Sequence, residues 1–309
     1  MKIFLTGGSG MVGRNILEHS SASLYQITLP TSSELNLLDY NSVYDALNEE
    51  KPDLIIHAAG RVGGIHANIA NPVSFLSENL YMGLNVITAS EKIGIPNLIN
   101  LSSSCMYPRN ADNPLREDMI LKGELEPTNE GYAIAKIAST RLCEYISYQD
   151  PQKKYKTVIP CNLYGRHDKY DPSSSHLIAA IICKLHNAVQ NNNETVSIWG
   201  DGTVRREFLN ALDLADFIFY AINNLDKMPQ NLNVGLGHDF SIKEYYQMVA
   251  SVLNYTGKFE YDLSKPMGVI QKLADDSQLK KFGWKPKIDL TQGITEAYKF
   301  YRESFNNGI

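Results

Sequence analysis

The first half of the chain alternates short apolar runs with longer stretches in which apolar residues recur every three or four positions. The two longest of these stretches, at roughly residues 72–93 and 129–148, predict helices. The short runs predict strands at residues 2–6, 25–29, 53–58, 97–102 and 155–161. Because strands that alternate with helices are typical of βαβ units, we expect an α/β fold with a doubly wound parallel sheet of Rossmann type.

Beyond Gly165 the pattern loosens. Shorter helical stretches and short strands follow one another, with glycine-rich turns at residues 200–202 and 235–237. We expect residues 1–165, with returns near 207–240, to form the domain that contains the sheet. Residues 166–206 and 241–309 would then form a smaller C-terminal domain that is interleaved with it.

The composition argues against several classes of protein. The chain has 309 residues, of which 43% are hydrophobic, so it can bury a real core. Its net charge is −5 and it has no strongly basic run, so nucleic acid is not an expected partner. The first residues lead at once into glycines, and no apolar stretch approaches the ~20 residues of a membrane span. We therefore expect a soluble, cytoplasmic protein with no membrane partner.

The four cysteines are spread along the chain without a Cys-x-x-Cys pair. This spacing favours neither a disulfide framework nor a zinc site, so we expect reduced thiols and no metal. They are Cys105, Cys143, Cys161 and Cys183.

The first predicted strand runs into a glycine-rich segment, Gly7-Gly8-Ser9-Gly10-Met11-Val12-Gly13, and then into a helical pattern. A strand, a tight turn and a helix are the context that a dinucleotide fingerprint requires. Gly7 lets the chain turn, Gly10 lets the backbone approach a pyrophosphate, and Gly13 lets helix and strand pack closely. We therefore expect this segment, including Met11 and Val12, to bind a dinucleotide cofactor.

The usual residue that separates NAD from NADP is missing. The second strand ends in Thr28-Leu29-Pro30-Thr31-Ser32-Ser33, with neither a carboxylate for a ribose diol nor an arginine for a 2′-phosphate. Arg14 could meet a 2′-phosphate with help from nearby serine hydroxyls, or it could be a solvated residue in the first helical turn. We favour NADP, with Asp39 and Ala58 as candidate neighbours of the adenine and ribose.

A tyrosine and a lysine lie one helical turn apart, in Tyr132-Ala-Ile-Ala-Lys136. This spacing puts both side chains on one face of a helix, where the ammonium is expected to lower the pKa of the phenol toward working pH. Tyr132 is therefore a candidate general acid for carbonyl reduction. Ser103 follows the fourth predicted strand at the carboxyl edge of the sheet, where its hydroxyl could hold a ketone oxygen.

With these motifs the chain resembles the extended short-chain dehydrogenases/reductases, and most of all the GDP-L-fucose synthases, along nearly its whole length. The matching stretches are Val62-Gly63-Gly64-Ile65, Ser103-Ser104-Cys105-Met106-Tyr107-Pro108, residues 126–136, Asn162-Leu163-Tyr164-Gly165, His167-Asp168, Ser175-His176, Trp199-Gly200 and Arg206-Glu207-Phe208.

The resemblance implies a role for each matching residue. Ser103, Tyr132 and Lys136 would form the reductase triad, and Cys105 with His176 the acid/base pair of an epimerase. Lys136 and His176 would also contact the NADP cofactor. Asn162, Trp199, Arg206 and Lys272 would contact a GDP-linked 4-keto sugar, with the C-terminal domain as the substrate-binding domain. The two long helices would form the interface of a homodimer.

The chemistry that the family implies is coherent. A ketone at C4 acidifies the hydrogens on C3 and C5, so inverting those centres needs one group that removes a proton and another that returns one. Thiol and imidazole, with ordinary pKa values of ~8.5 and ~6.5, suit that exchange. Hydride transfer to C4 then fixes the product, a GDP-L-sugar.

The sequence leaves other interpretations of the function open. Arg166 stands where the family has a proline, and Pro266-Met267-Gly268 stands where it has Pro-Asp-Gly. Both differences lie in the half that recognises the sugar, so the enzyme could instead be a C4 reductase alone, acting on a GDP-4-keto heptose or dideoxyhexose. A catalytically silent dinucleotide-binding protein is a third interpretation. In the same half we expect Arg205 to be solvated and Asp213 to cap or start a helix.

Overall fold

The computed structural model describes residues 1–171, 175–264 and 269–306. Its strands are β1 (Lys2–Thr6), β2 (Gln26–Thr28), β3 (Leu54–His57), β4 (Asn97–Leu101), β5 (Lys154–Pro160), β6 (Asn162–Tyr164), β7 (Thr195–Trp199), β8 (Arg205–Arg206), β9 (Phe208–Asn210), β10 (Asn231–Val234), β11 (Phe240–Ser241), β12 (Lys258–Asp262) and β13 (Gln271–Lys272). Its helices are α1 (Met11–Glu18), α2 (Tyr40–Glu50), α3 (Ile65–Ala70), α4 (Pro72–Ile93), α5 (Glu130–Gln149), α6 (Leu177–Gln190), α7 (Ala211–Asn223), α8 (Ile242–Leu253), α9 (Ser277–Phe282) and α10 (Leu290–Asn306).

Six strands form one parallel sheet in the order β10-β5-β4-β3-β1-β2. The chain leaves β1 toward β2 on one side and returns to β3 on the other, so the direction of winding reverses between β1 and β3. Ligands of doubly wound sheets bind at such a reversal, outside the carboxyl ends of the strands. The Rossmann-type α/β fold is therefore confirmed.

The five predicted strands of the sheet and both long helices are present. Strand β1 and helix α4 have the predicted bounds, and the ends of the other elements differ by one residue at most. Both faces of the sheet are covered, as an all-parallel sheet requires. Helices α1 and α7 pack on one face, and helices α2, α4 and α5 pack on the other.

A second apolar core lies outside this sheet. It joins helices α6, α8 and α10 to strand β7, and its members include Ile181, Ile198, Val249 and Ile294. Tyr164 and Phe208, which follow the sheet strands in sequence, contribute their rings to the same core. The smaller body is thus anchored to the sheet through β6 and β9, which pair in parallel. The exact domain bounds given above remain a prediction.

None of the helices in the described parts of the chain combines the length and the apolar character that a bilayer crossing requires.

Candidate active site

A cavity of about 930 Å³ opens at the carboxyl ends of β1, β3 and β4. Its wall combines the glycine-rich turn with residues from the end of β4, from α5 and from the smaller body. Among the residues predicted for the site, the wall contains Gly7, Gly10, Met11, Val12, Gly13, Arg14, Ala58, Ser103, Tyr132, Lys136, Asn162 and His176. Residues that are distant in sequence therefore meet in one cleft.

The glycine turn has the close packing that was predicted for it. Gly7 has φ +76°, a left-handed conformation that favours glycine. A Cβ added to Gly13 would lie 2.3 Å from the carbonyl oxygen of Gly7, so any side chain there would collide with backbone. Helix α1 begins directly after Gly10, and its first amides face the cavity end of β1. This turn can hold a diphosphate.

Arg14 lies at the edge of the same turn. Its Nε donates a hydrogen bond to the carbonyl oxygen of Ser9 at 3.1 Å, and the side chain borders the cavity. The guanidinium is exposed and keeps its other N–H groups available for a ligand among the contacts that the structure describes. Asp39 has a different position, because its carboxylate caps helix α2 by accepting hydrogen bonds from the Asn41 amide and the Ser42 hydroxyl. It does not belong to the cavity wall.

The three residues of the predicted triad meet at the end of β4. Lys136 Nζ donates a hydrogen bond to the carbonyl oxygen of Leu101 at 2.9 Å, which ties helix α5 to the last residue of the strand. The same Nζ lies 5.7 Å from the centre of the Tyr132 ring. Ser103 lies near enough to Tyr132 for its hydroxyl to favour a lower pKa of the phenol. A hydroxyl, a phenol and an ammonium therefore surround one point of the cavity.

The expectation that Lys136 lowers the pKa of Tyr132 is wrong for this arrangement. Burial of the phenol raises the pKa of Tyr132 instead, and the neighbouring Cys105 thiol adds to the increase. Burial also lowers the pKa of Lys136 to about 8. Desolvation is the largest cause at both side chains, because the packing of the fold removes much of the water that would surround them on an open helix face. Tyr132 is consequently protonated at neutral pH.

Cys105 occupies a short 3-10 turn, Ser104–Met106, whose first residue follows Ser103. The Ser103 hydroxyl caps this turn by accepting a hydrogen bond from the Cys105 amide at 3.3 Å. The thiol is buried, and burial raises its pKa. Lys136 and Lys272 both lie close enough to the thiol to oppose that increase. Cys105 therefore stands between the triad and a second group of charged residues.

That second group is a pair of cations on adjacent strands. Arg206 of β8 and Lys272 of β13 are direct partners in a parallel pairing. Burial lowers the pKa of both side chains, and the carboxylate of Glu126 acts against the decrease in each case. Two half-buried cations beside one carboxylate leave a net positive charge, which suits an anionic ligand.

Glu207 holds the strands of Arg206 and Lys272 in place through backbone contacts. It was not identified as a functional residue from the sequence. Its two carboxylate oxygens accept hydrogen bonds from the amides of Gly237 at 2.8 Å and Ala274 at 2.9 Å. Burial raises the pKa of Glu207 to about 7. Since Ala274 follows β13, Glu207 holds Lys272 in register beside Arg206. The partners are 30 and 67 residues away, so no local pattern could have revealed them.

The remaining predicted residues have structural contacts. The Trp199 ring is half exposed and packs edge-to-face against His66, with 5.7 Å between ring centres. Arg205 is not simply solvated, because its Nε donates to Asp239 Oδ1 at 2.8 Å. Asp213 lies in the first turn of α7, but the cap of that helix is Asn210, whose side chain accepts from the Leu212 amide. The Asp213 carboxylate instead accepts the amides of Lys287 and Ile288.

One of the two differences from the family pattern can be described. Arg166 lies 3.5 Å from Glu18, and its guanidinium stacks over Phe300 at 5.5 Å from the ring centre. Its backbone carbonyl accepts a hydrogen bond from Asn15 of α1. This arginine thus fastens the loop after β6 to α1 and α10. The other difference, at Met267, lies outside the described residues.

Comparison with known proteins accounts for this arrangement. The sequence model of the NAD dependent epimerase/dehydratase family matches residues 3–235. A GDP-L-colitose synthase from Yersinia pseudotuberculosis is 55% identical over 99% of this chain and 100% of the relative. A GDP-L-fucose synthase from Azorhizobium caulinodans is 48% identical over 97% of this chain and 96% of the relative.

This chain belongs to the NAD dependent epimerase/dehydratase family. Within that family it groups with the GDP-L-fucose synthases among the extended short-chain dehydrogenases/reductases. A GDP-6-OMe-4-keto-L-xylo-heptose reductase from C. jejuni superposes with a TM-score of 0.90 at 30% identity, covering 98% of each chain. A GDP-mannoheptose C4 reductase from Campylobacter jejuni, solved with NADP bound, has a TM-score of 0.88 at 32% identity and covers 97% of this chain and 98% of that chain.

NADP(H) is the cofactor that fits this member of the family, and the chain is an oxidoreductase of the NADP-dependent kind. The residues present suit the group, because the glycine turn would collide with any side chain at Gly13 and leaves a cradle for a diphosphate. When bound, NADPH supplies a hydride at this edge of the sheet.

Replacing Lys136 by methionine should stabilise the protein while it disables the site. The pKa of Lys136 is lowered from 10.5 to about 8. Burying the cation therefore destabilises the folded protein, and this penalty has its full size below pH 8. We expect Lys136→Met to raise the free energy of unfolding by about 1 to 2 kcal/mol at pH 7, after allowing for the lost bond to Leu101.

The gain in the free energy of unfolding of Lys136→Met should shrink between pH 8 and pH 10.5. In this range Lys136 of the wild-type protein is protonated in the unfolded chain but has released its proton in the folded protein. Urea unfolding of both proteins across this range measures the difference. Lys153→Met, at a surface ion pair with Glu91, is the control and should change stability by less than about 0.5 kcal/mol. A Lys136→Met protein that is less stable at pH 7 would contradict the account of the burial penalty.

Proposed function

We propose that this protein is an NADPH-dependent epimerase and C4 reductase that converts a GDP-linked 4-keto-6-deoxy sugar into a GDP-L-sugar. The observation that carries the proposal is the position of Cys105, whose amide donates a hydrogen bond to Ser103 and whose thiol lies within electrostatic reach of Tyr132 and Lys272. A thiol that shares its surroundings with a reductase triad gives a single site both an acid for proton exchange and an acid for reduction.

In the reduction step, Ser103 and Tyr132 bind the C4 oxygen and Tyr132 donates a proton to it as hydride arrives on carbon. The raised pKa of Tyr132 favours this role, since the phenol carries its proton at neutral pH. Lys136, held by the Leu101 carbonyl, keeps a positive charge close to the phenol while the proton leaves. The lysine therefore stabilises the phenolate that the step produces.

In the epimerisation step, His176 removes a proton next to the ketone and Cys105 returns one to the opposite face. The two residues belong to different bodies, His176 at the start of α6 and Cys105 after β4. Approach from two sides is what inversion at carbon requires. The raised pKa of the Cys105 thiol keeps it protonated and ready to donate.

The diphosphate of the substrate is assigned to Arg206 and Lys272. A fork of guanidinium N–H groups and an ammonium on paired strands complement two phosphates. Asn162 lines the cavity beside His176, where it can contact the sugar, although its amide also donates to the Glu207 carbonyl at 2.9 Å. The half-exposed ring of Trp199, in contact with His66, can cover the nucleoside.

One relative favours a 3-deoxy substrate. The relative that is 55% identical is named for GDP-L-colitose, and colitose is a 3,6-dideoxy-L-hexose. On such a sugar, inversion at C5 alone would give the L configuration. With a hydroxyl at C3, the same acid and base would act at C3 and C5.

A second candidate is C4 reduction without epimerisation, on a GDP-4-keto heptose. It is favoured by the two superposing reductases, which are named for heptose substrates and are 30% and 32% identical to this chain. In that case Cys105 and His176 would be retained without an acid/base role.

Turnover in deuterated water separates these candidates. Purified enzyme with NADPH is given GDP-4-keto-6-deoxymannose, its 3-deoxy counterpart, or a GDP-4-keto heptose, and products are analysed by mass spectrometry and NMR. We expect oxidation of NADPH and deuterium at C5 of an L-configured product from the first two sugars. Reduction without deuterium at C5 would leave the C4 reductase, and no turnover of any of the three would remove both candidates.

Two substitutions should separate the epimerisation step from the reduction step. We expect Tyr132→Phe to slow reduction by about 10²-fold or more while wash-in of deuterium at C5 continues. We expect Cys105→Ala to stop net inversion while the reverse hydride transfer, from GDP-L-fucose to NADP⁺, persists within about threefold. Cys143→Ala, which removes a buried thiol of α5 far from the cleft, is the control for both measurements. Equal loss of both steps in each variant would refute the division of roles.

Arg14 is assigned to the 2′-phosphate of NADPH. It borders the cavity at the glycine turn and is held there through Ser9. We expect Arg14→Ala to raise KM for NADPH by about tenfold or more and to leave KM for NADH unchanged, because NADH lacks the phosphate. Steady-state kinetics with both cofactors measure this. Arg116→Ala, an exposed arginine in another loop, is the control, and an equal change for both cofactors would contradict the assignment.

We assign the homodimer interface to α4 and α5, which pack closely where Gly83 meets Ser139. Both helices expose large apolar side chains, including Tyr81, Ile134 and Tyr145. We expect the double variant Tyr81→Glu with Tyr145→Glu to convert a dimer to a monomer in light scattering after gel filtration. Leu24→Glu places the same charge on an exposed leucine elsewhere and should leave a dimer. A monomeric wild-type protein would refute the interface.

A further inference from the structure

A buried aspartate lies behind the imidazole of His176. Asp168 Oδ1 is 3.5 Å from His176 Nδ1, and the Asp168 side chain is 3% exposed whereas the His176 side chain is 32% exposed. The two residues reach this point from different elements, since Asp168 belongs to the loop after β6 and His176 precedes α6. Both border the cavity. The imidazole thus has one nitrogen turned toward a carboxylate and the rest of the ring turned toward the cleft.

The nitrogen of His176 and the carboxylate of Asp168 that face each other have few other hydrogen-bond partners. Among the residues that the structure describes, His176 Nδ1 and Asp168 Oδ2 are buried without a hydrogen-bond partner. Asp168 Oδ1 accepts a hydrogen bond from the Lys169 amide at 2.8 Å. Buried polar atoms are normally paired, because each unpaired one loses its hydration without compensation. A shift of a few tenths of an ångström would close a charge-assisted bond between Nδ1 and the carboxylate.

The segment around Asp168 is fixed so that this carboxylate points inward. The preceding residue, His167, has φ +63°, a conformation uncommon for residues other than glycine. Its imidazole is held by Glu18 Oε1 at 2.6 Å from Nε2 and by the Phe300 ring at 4.6 Å between ring centres. His167 is therefore committed to contacts with α1 and α10. These contacts fix the backbone beside Asp168, whose side chain is 3% exposed.

We propose that Asp168 is a positioning residue for His176 and selects the tautomer with the proton on Nδ1. This tautomer leaves the Nε2 lone pair free to accept a proton from the substrate. The inference rests on the proposed function, in which His176 is the base of the epimerisation step. When the C–H bond next to the ketone breaks, its electron pair passes to the enolate and its proton passes to Nε2. Asp168 then faces the imidazolium and stabilises it.

A purely structural role gives a different expectation. If the pair only tied the loop after β6 to helix α6, loss of the carboxylate would lower stability or substrate affinity without a specific effect on the ring. Orientation and tautomer, by contrast, are properties of the imidazole itself. Nuclear magnetic resonance of ¹⁵N-histidine reports them directly.

The test compares wild-type enzyme with Asp168→Asn, both with NADP⁺ bound and with ¹⁵N-labelled histidine. The signal of His176 is assigned from its absence in His176→Gln. We expect the wild-type ring to carry its proton on Nδ1. In Asp168→Asn the side-chain amide can donate to Nδ1, so the ring should carry its proton on Nε2. Deuterium wash-in at C5 should fall at least tenfold in Asp168→Asn, whereas first-turnover hydride transfer from GDP-L-fucose to NADP⁺ should stay within threefold.

Controls separate this inference from the proposed function. Asp45→Asn removes an exposed carboxylate of α2 and should change neither measurement. If His176→Gln leaves deuterium wash-in unchanged, the role of His176 in the proposed function is wrong. If His176→Gln stops wash-in but Asp168→Asn affects neither the tautomer nor wash-in, the positioning role of Asp168 alone is refuted. Equal loss of wash-in and hydride transfer in Asp168→Asn would also overturn it, in favour of a structural tie.

Discussion

The hydrogen bond from Lys136 to the carbonyl oxygen of Leu101 is the contact on which the rest of the site depends. It fixes helix α5 against the last residue of β4, at 2.9 Å. Ser103 lies two residues beyond Leu101, and Tyr132 lies one helical turn before Lys136, so a single bond sets the relative position of all three groups. A charged donor makes this bond stronger than an amide would, at about 1.5 to 3 kcal/mol. Burying the same charge costs free energy, because the ammonium loses its hydration. The folded protein keeps this cost and with it an ammonium close to Tyr132.

The second layer of the site depends on a carboxylate rather than on a cation. Glu207 joins the end of β13 to the loop that follows β10 by accepting two backbone amides. Strands β8 and β13 have two residues each, which is too short for independent pairing. Their register, and with it the spacing of Arg206 and Lys272, is therefore maintained from behind by Glu207. Arg206 and Lys272 can face a ligand because Glu207, and not either cation, makes the contacts that hold the two strands in place.

Local pattern was sufficient for the sheet, for α4 and for the glycine turn, because each depends on periodicity or on backbone conformation within a short segment. The proximity of Tyr132 and Lys136 was predictable for the same reason, since they share a helix face. Contacts between residues that are distant in sequence were not predictable in this way. Arg205, which was expected to be solvated, contacts Asp239, and Asp213, which lies in the first turn of α7 as expected, also accepts amides from Lys287 and Ile288. The direction of the Tyr132 pKa was missed because burial, unlike spacing, is decided by how the whole fold packs.

The protonation states of the site constrain how the two proposed steps can share it. The pKa values of the Cys105 thiol and the Tyr132 phenol are both raised by burial, so both groups are proton donors when the substrate arrives. Cys105 also raises the pKa of Tyr132, since thiolate and phenolate would be neighbouring anions. The proton acceptor must therefore be a third group on another element, and His176 meets that condition. Once Cys105 has given up its proton, the adjacent thiolate opposes ionisation of Tyr132. Reduction is then favoured only while the thiol carries its proton. Because hydride transfer removes the C4 ketone that acidifies the hydrogen on C5, epimerisation has to precede it in the proposed sequence of steps.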